Sequence, residues 1–379
     1  MASTCVLSYW DLSIAASGGS RRINALLDAL GDSTFVIQPA SNHPHLQTVT
    51  FPLDLGRRKI GVNWGMFNFL WPPTRRIAER AIQARSPELL VMTSIWTLPV
   101  AARFPDIPKV LDAHDVNATA IAERFGANHP FTKLVRSYEA KAVRTVDHLF
   151  CCSASDRQRF IENYDIPIDM TTIVPNGVDT GAFVNVRSEP DAFWNQHLTG
   201  FVVLFFMGKL DYQPNIAALN FLGESLMPEL ERRSPGRYRL LVTGGPAPHR
   251  QRHPSIVFAG RLPNDRLRQY MSRAQICLAP VFTGSGTRLK ILEYMAAGKP
   301  VISTAKGAEG IGVFDGRDLY IVEPEFFADR VEFLAAHPTQ ASAIGDSARK
   351  FVREKYDWVE CIQPRWKNVF KCYLHATQS

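Results

Sequence analysis

Short β-rich segments alternate with helix-period stretches along almost the whole of this chain. The predicted strands lie near Val6 and at residues 35–39, 89–93, 109–112, 148–152, 172–174, 201–207, 239–243, 256–259, 276–280, 300–303 and 319–322. Such alternation is typical of parallel sheets covered by helices. Because a polar stretch at about 180–198 separates two sets of strands, we predict two doubly wound domains. Ligands are then expected at the carboxyl ends of strands, in the cleft between the domains.

The chain of 379 residues is long enough for two separate cores. We predict an N-terminal Rossmann-like domain at 1–185, a second such domain at 195–338 and a C-terminal helical segment at 339–379. The large apolar side chains Trp358 and Trp366 in that segment favour burial. The segment either crosses back to brace the first domain or packs without crossing.

Several common classes are disfavoured by the composition. The longest apolar run, 201–207, is too short to span a bilayer, and the N-terminal apolar stretch contains Asp11 without a basic leader. A cytoplasmic protein is therefore expected. The six cysteines form no CxxC pair and no zinc-ligand spacing with histidine, which favours reduced, structural thiols.

Basic residues are concentrated in two places. Residues 232–273 contain ten arginines and one acid, which indicates a solvated face or an anionic membrane contact, whereas nucleic acid binding would require stacking aromatics or a recognisable module. Residues 57–85 carry seven Lys or Arg and one Glu, interleaved with aromatic residues such as Trp64 and Trp71. This second segment suits an anionic membrane interface, although core aromatics with solvated arginines would give the same pattern.

One segment, residues 283–304, is suited to a phosphorylated ligand. A Gly/Ser/Thr-rich turn precedes a helix-period run that ends at Gly298. Unpaired N–H groups and the helix dipole at such an N-terminus attract anions, and Arg288 and Lys290 add positive charge. Glu293 lies far enough along to accept both hydroxyls of a sugar diol. The third glycine of a dinucleotide fingerprint is absent, and a well-capped helix without a ligand is the alternative.

Several motifs occur together in a recognisable order: LDAHD at 111–115, VPNGVD at 174–179, MGKLDYQPN at 207–215 and GTRLKILEYMAAGKPVIST followed by KGAEGI. In this combination the chain resembles the retaining glycosyltransferases of family 4, the group 1 glycosyltransferases. The resemblance implies a GT-B fold of two Rossmann-like domains. It also implies that the C-terminal domain holds a nucleoside-diphosphate sugar and the N-terminal domain an acceptor.

The resemblance further assigns site residues. His114 matches the family's histidine that contacts sugar hydroxyls near the reacting carbon, so it is the candidate catalytic residue. Glu293 matches the glutamate that holds the ribose, and the Gly18–Arg22 stretch matches the glycine-rich loop after the first strand. The predicted donor-binding residues are Gly18, Gly19, Gly208, Lys209, Ser285, Gly286, Thr287, Arg288, Lys290 and Glu293.

The chain departs from the family pattern at two positions. Ser285 stands where the first glutamate of the family's pair is expected, so Ser285 and nearby N–H groups are predicted to contact the sugar instead. Lys209 is present, but the second basic residue expected about five positions later is replaced by Pro214 and Asn215. Arg288 and Lys290 are predicted to restore that charge from the other side of the diphosphate.

The sequence contains no D-x-D motif, so no metal and no other cofactor is expected, with basic side chains and a helix N-terminus stabilising the leaving diphosphate. Retention of anomeric configuration is implied by the resemblance. The expected acceptor is a glycan or lipid-linked glycan, as in surface polysaccharide biosynthesis, reached by a cytoplasmic or peripheral membrane protein. Two alternatives stay open: a GT-B nucleotide-sugar epimerase using His114 and Asp115, and a non-catalytic GT-B subunit that binds a partner.

Overall fold

The computed structural model describes residues 4–10, 12, 18–39, 47–51, 59–60, 62–63, 68–186, 189–247, 253–283 and 287–374. The chain divides into two compact units. The first comprises Met1–Asn176 together with Val359–Ser379, and the second comprises Gly177–Trp358.

The first unit is built on a parallel sheet. Its strands are β1 (Thr4–Leu7), β2 (Thr34–Pro39), β3 (Gln47–Phe51), β4 (Lys59–Ile60), β5 (Val62–Asn63), β6 (Leu89–Met92), β7 (Lys109–Ala113), β8 (His148–Cys151) and β9 (Thr171–Ile173). Its helices up to the second unit are α1 (Gly18–Leu30), α2 (Pro72–Arg85), α3 (Leu98–Ala101), α4 (Asn117–Phe125), α5 (Pro130–Thr145) and α6 (Ala154–Tyr164). Seven strands run in the order β3-β2-β1-β6-β7-β8-β9, while β4 and β5 form a separate antiparallel pair.

The order of these strands reverses at β1, which pairs with β2 on one side and β6 on the other. Strands β1, β2 and β6 are apolar throughout most of their length and fully buried, as expected for strands with both faces covered. Helix α1 turns Ile23, Leu26 and Leu27 toward the sheet. The carboxyl ends of β1 and β6 therefore form a topological switch point, where doubly wound sheets bind ligands.

The second unit repeats the same architecture. Its strands are β10 (Val202–Met207), β11 (Tyr238–Thr243), β12 (Ile256–Phe258), β13 (Ile276–Ala279), β14 (Val301–Ser303) and β15 (Tyr320–Ile321). Its helices are α7 (Ala192–His197), α8 (Gln213–Phe221), α9 (Met227–Arg233), α10 (Asn264–Arg273), α11 (Leu289–Ala296), α12 (Ala305–Ala308), α13 (Phe327–Ala336) and α14 (Pro338–Tyr356). The six strands lie in the order β12-β11-β10-β13-β14-β15, which places the switch point between β10 and β13.

The C-terminal segment that we predicted as one piece at 339–379 is divided between the units. Helix α14 packs on α11 in the second unit, whereas the last helix, α15 (Gln363–Leu374), packs on α1 in the first. The division falls at Trp358, and the first boundary falls after Asn176 rather than near 185. Where the chain enters and leaves the second unit, the Val178 N–H donates to Tyr356 O at 2.8 Å and the Trp358 N–H donates to Val178 O at 3.1 Å.

Three composition-based expectations can be compared with the structure. All six cysteines are free, and Cys5, Cys151, Cys152 and Cys277 are buried. Several arginines of the 232–273 stretch pair with acids; for example, Arg233 contacts Glu229 at 2.6 Å and Glu332 at 3.1 Å. Within the described ranges, none of the helices combines the length and the apolar character that a membrane span requires.

Candidate functional site

In the first unit, the candidate residues gather at the carboxyl ends of the strands. Gly18 and Gly19 form the start of α1, and His114 directly follows β7. A Cβ added to Gly19 would lie 3.1 Å from the Trp10 ring and 3.3 Å from His114 Nδ1. The Trp10 and His114 rings are stacked, with centroids 4.9 Å apart. Glycine at this position therefore lets the start of α1 approach the histidine closely.

A buried ion pair lies behind His114. Arg22 donates from Nε to Asp112 Oδ2 at 2.8 Å and from Nη2 to Asp112 Oδ1 at 2.6 Å, and both side chains are fully buried. Burial alone would raise the pKa of Asp112, but the charge and hydrogen bonds of Arg22, together with His114, hold the pKa of this carboxyl well below its usual range. Removing one member of such a pair typically costs about 3–5 kcal/mol.

The segment after His114 is fixed by a carboxylate that the sequence analysis did not single out. Glu139 of α5 accepts from the backbone N–H groups of Asn117 at 2.7 Å and Ala118 at 3.0 Å, which are the first residues of α4. It also accepts from the Tyr164 hydroxyl at 2.6 Å. Glu139 thereby satisfies N-terminal donors of α4 and anchors the chain just beyond His114.

In the second unit, Gly208 and Lys209 follow β10 at the switch point. The side chain of Lys209 is 63% exposed, and its Nζ lies 3.4 Å from Asp211 Oδ1. A Cβ on Gly208 would come within 2.7 Å of the Asn215 side chain, which donates from Nδ2 to Lys209 O at 3.0 Å. Asn215, in the first turn of α8, therefore packs directly on the Gly208–Lys209 turn.

The helix α11 brings a second cation to the same place. Lys290 Nζ donates to Asn215 Oδ1 at 2.6 Å and lies 4.4 Å from the centroid of the Phe206 ring. Burial is the main cause that lowers the pKa of Lys290 to about 7; repulsion from Arg288 contributes to this shift, and Glu293 opposes it. The structure thus brings Lys290 to the Gly208–Lys209 turn through Asn215, which with Pro214 occupies the place where the resemblance led us to expect a second basic residue.

The N-terminus of α11 carries further predicted residues. Arg288 is the half-buried N-cap residue, and Thr287 just before it is 7% exposed. The Thr287 hydroxyl has no hydrogen-bond partner in the part of the chain that the structure describes. Ser285 and Gly286, also predicted to bind the donor, lie outside the described residues. A buried hydroxyl beside free helix N–H groups suits an anionic ligand.

Glu293 lies within α11 and is half-buried. The helix is held to the end of β10 by Tyr294, whose hydroxyl accepts from the backbone N–H of Met207 at 2.8 Å. Gly298, with φ at +66°, follows the end of α11 as predicted. Among the described residues, the structure shows no cluster of three or more His, Cys, Asp or Glu that could hold a metal ion.

Sequence reasoning missed three important residues. Arg22 was taken as part of a glycine-rich loop, although its spacing from Leu26 places it on the buried face of α1. Asp112 was seen only as part of LDAHD, and its partner lies 90 positions away. Asn215 was noted only because it stands near the place where a basic residue was expected. Its contact with Lys290 joins residues 75 positions apart in the sequence. Only the helical periodicity around Arg22 offered a signal in the sequence.

Two family descriptions match the chain, one on each side of the linker. Glycosyltransferase Family 4 matches residues 18–182, and Glycosyl transferases group 1 matches residues 202–337. The first range contains Gly18, Gly19 and His114, and the second contains the candidate residues from Gly208 to Glu293.

The chain is also similar to curated proteins. It is 24% identical over 270 residues to glycogen synthase of Mycobacterium tuberculosis, a match covering 68% of this chain and 61% of that protein. It is 27% identical over 253 residues to D-inositol 3-phosphate glycosyltransferase of Acidothermus cellulolyticus, covering 62% and 53% respectively. The chain therefore spans between 53% and 61% of the length of these relatives.

Solved structures resemble the chain over nearly its full length. Sucrose-phosphate synthase from Thermosynechococcus elongatus has a TM-score of 0.75 at 16% identity, covering 98% of this chain and 99% of that one. Anabaena HepE in complex with UDP and glucose has a TM-score of 0.73 at 15% identity, covering 97% and 99%. The predicted GT-B fold, with two parallel sheets flanked by helices, is confirmed.

Proposed function

Because the chain belongs to the group 1 glycosyltransferases of family 4, we propose that it transfers a sugar from a nucleoside-diphosphate sugar to a glycan or lipid-linked acceptor. One observation carries this proposal. Lys290 lies beside the Gly208–Lys209 turn, at the switch point between β10 and β13. Cations there, with the N-terminus of α11, suit a diphosphate.

In this proposal the donor diphosphate contacts Lys209, Arg288 and Lys290. Thr287 donates its otherwise unpartnered hydroxyl, and Glu293 accepts the ribose hydroxyls. The predicted contacts of Ser285 and Gly286 with the sugar form part of the same proposal. HepE, a structural neighbour of this chain, was crystallised with UDP and glucose, which is consistent with a nucleotide-sugar ligand for the fold.

The first unit is proposed to supply the group nearest the reaction. His114, stacked on Trp10 and closely approached by Gly19, would hydrogen-bond to hydroxyls of the transferred sugar. Leaving-group charge would be stabilised by the basic residues of the second unit, so we propose a reaction that needs no metal. Retention of the anomeric configuration is proposed from the resemblance to the family alone.

A panel of donors tests the function directly. The purified protein is mixed with UDP-, GDP-, ADP- and TDP-sugars, with and without EDTA, and both melting temperature and donor hydrolysis are measured. We expect one donor to raise the melting temperature and to be hydrolysed slowly in the presence of EDTA. Hydrolysis that EDTA abolishes would contradict metal independence. A donor epimerised rather than hydrolysed would indicate the epimerase, and no response to any donor would indicate a non-catalytic subunit.

A membrane contact for the first unit is a separate proposal, on the cytoplasmic face. Most of the interfacial segment 57–85 before position 68 lies outside the described residues. Phe69 is buried in the core, whereas Leu70 and Trp71 are each 42% exposed. Helix α2 then buries one face and exposes Arg76 and Arg80 on the other. Exposed apolar groups beside arginines suit an anionic bilayer surface.

Vesicle flotation tests this contact. We expect the protein to float with vesicles containing phosphatidylglycerol at low salt, and to remain unbound with pure phosphatidylcholine. The double variant Arg76→Glu/Arg80→Glu should lose binding. The matched control Arg136→Glu/Arg144→Glu reverses two exposed charges on α5 of the same unit and should keep it. Equal binding by both double variants would refute a specific role for α2.

A further inference from the structure

Arg22 makes more contacts than an ion pair requires. Besides its paired hydrogen bonds to Asp112, its Nη1 donates to Val174 O at 2.8 Å and to Asn176 Oδ1 at 3.3 Å. The guanidinium carbon lies 5.1 Å from the centroid of the Trp366 ring, which α15 contributes and which is fully buried. Hydrogen-bond acceptors and an aromatic face therefore hold the Arg22 fork in a single orientation.

The carboxylate that Arg22 holds also faces the candidate catalytic residue. Asp112 Oδ2, which accepts from Arg22 Nε, lies 3.3 Å from His114 Nε2. The Nε2 atom makes no hydrogen bond within the described residues, so the contact with Asp112 is electrostatic. An ionised carboxylate at this distance favours a proton on Nε2, and the ring then keeps Nδ1 as its acceptor. Nδ1 is the atom that faces Gly19.

Two carboxylates and one guanidinium lie near His114. Among the described residues, the titratable groups near the ring and its carboxylate are Asp112, Arg22, Asp115, Tyr9, Cys151 and Cys152. Burial raises the pKa of Cys151 well above its usual value. Burial raises the pKa of Tyr9 and Cys152 far above neutrality, so neither contributes charge. Without Arg22, the buried Asp112 carboxylate would lose the guanidinium that pairs with it and would no longer be held in place behind His114.

We infer that Arg22 is a positioning residue: through Asp112 it holds the His114 ring with Nδ1 available to the substrate, and Trp366 of the last helix keeps Arg22 in place. The inference rests on the proposed function, in which His114 contacts the transferred sugar. Arg22 itself is fully buried and reaches no substrate.

The test compares kcat and KM for the donor in Arg22→Met, Arg22→Lys and Lys109→Met. Lys109 is a matched control, because it is a buried cation at the opposite end of β7 whose Nζ donates to Ile107 O at 2.6 Å. We expect Arg22→Met to lower kcat by about 30-fold or more, since small misplacements of reacting groups cost about that much, with donor KM within about threefold of the parent. Arg22→Lys should recover part of kcat because it keeps the charge. If Arg22→Met has the kcat of Lys109→Met, or if KM alone changes, the inference is refuted.

Two measurements keep the test decisive. Nitrogen NMR of the parent should show the proton of neutral His114 on Nε2; a proton on Nδ1 would refute the inference even if Arg22→Met does not fold. The variant His114→Ala distinguishes a failure of the proposed role of His114 from a failure of the inferred role of Arg22. If His114→Ala keeps the parent kcat, the proposed role of His114 fails. If His114→Ala loses activity while Arg22→Met does not, only the role of Arg22 fails.

Discussion

Replacing His114 with alanine should lower kcat by about 100-fold or more, because a hydrogen bond made to the sugar as charge develops is lost in the transition state. Donor affinity should change little, since the proposed diphosphate contacts all lie in the second unit. Steady-state kinetics with the donor identified by the panel, together with calorimetric titration of the same donor, separates the two effects.

The matched control for this variant is His148→Ala. His148 is a buried histidine of the first unit, whereas His114 is half-buried, and the His148 Nε2 lies 2.9 Å from Thr172 Oγ1. It sits at the start of β8, at the opposite edge of the sheet from the strand ends that carry His114. We expect His148→Ala to lower the melting temperature and to leave kcat nearly intact. A His114→Ala enzyme with parental kcat would contradict the proposed mechanism.

Donor affinity should weaken as the pH rises above 7. The pKa of Lys290 is about 7 in the unliganded protein, because burial and the charge of Arg288 disfavour its charged form. A diphosphate placed beside Nζ favours the charged form and raises that pKa in the complex. Binding therefore takes up a proton above pH 7. The dissociation constant should rise by up to about tenfold per pH unit until the pKa of the complex is reached.

Calorimetry with the intact nucleotide-sugar between pH 6 and 9 measures this dependence, because the diphosphate diester stays fully ionised throughout. Lys290→Arg should flatten the curve above pH 7, since a guanidinium keeps its charge. Lys290→Met should bind weakly at every pH while remaining folded, because it removes a cation that burial disfavours. A parental dissociation constant that is equal at pH 6.5 and 8.5 would exclude Lys290 from the diphosphate site.

Much of the fold was predictable because its strands are apolar and bounded by polar turns. Each strand predicted from the sequence is present in the structure, from β1 near Val6 to β15 at Tyr320–Ile321. The edge strand β3, QTVTF, was missed because only two of its five residues are apolar, and the two-residue strands β4 and β5 were missed because they are too short to give a pattern. The C-terminal segment was predicted as one piece because its helical periodicity continues past Trp358, whereas its division depends on tertiary contacts.

The site was predictable only in part. Motif order predicted Gly19, His114 and Lys290 as site residues. The structure places Gly19 at the start of α1, His114 after β7 and stacked on Trp10, and Lys290 in α11 beside the turn that follows β10. The contacts that hold these side chains in place could not be predicted from the sequence. The Arg22–Asp112 contact joins residues 90 positions apart, and the Asn215–Lys290 contact joins residues 75 positions apart. Arginine is also rarely buried in proteins, so the usual distribution of residue types predicts an exposed position for Arg22 rather than the buried one that it has.

The division of the chain near Trp358 has a consequence for synthesis on the ribosome. The second unit is one continuous stretch, Gly177–Trp358, and its two ends are joined by the hydrogen bonds between Val178 and residues 356 and 358. The first unit needs α15, which is translated after the whole of the second unit. Until Trp366 emerges, the guanidinium of Arg22 lacks its aromatic cover. The nascent chain can therefore complete its second unit before its first. A protein truncated after residue 358 would retain a complete second unit, whereas in its first unit the charge of Arg22 would lack the Trp366 ring that covers it.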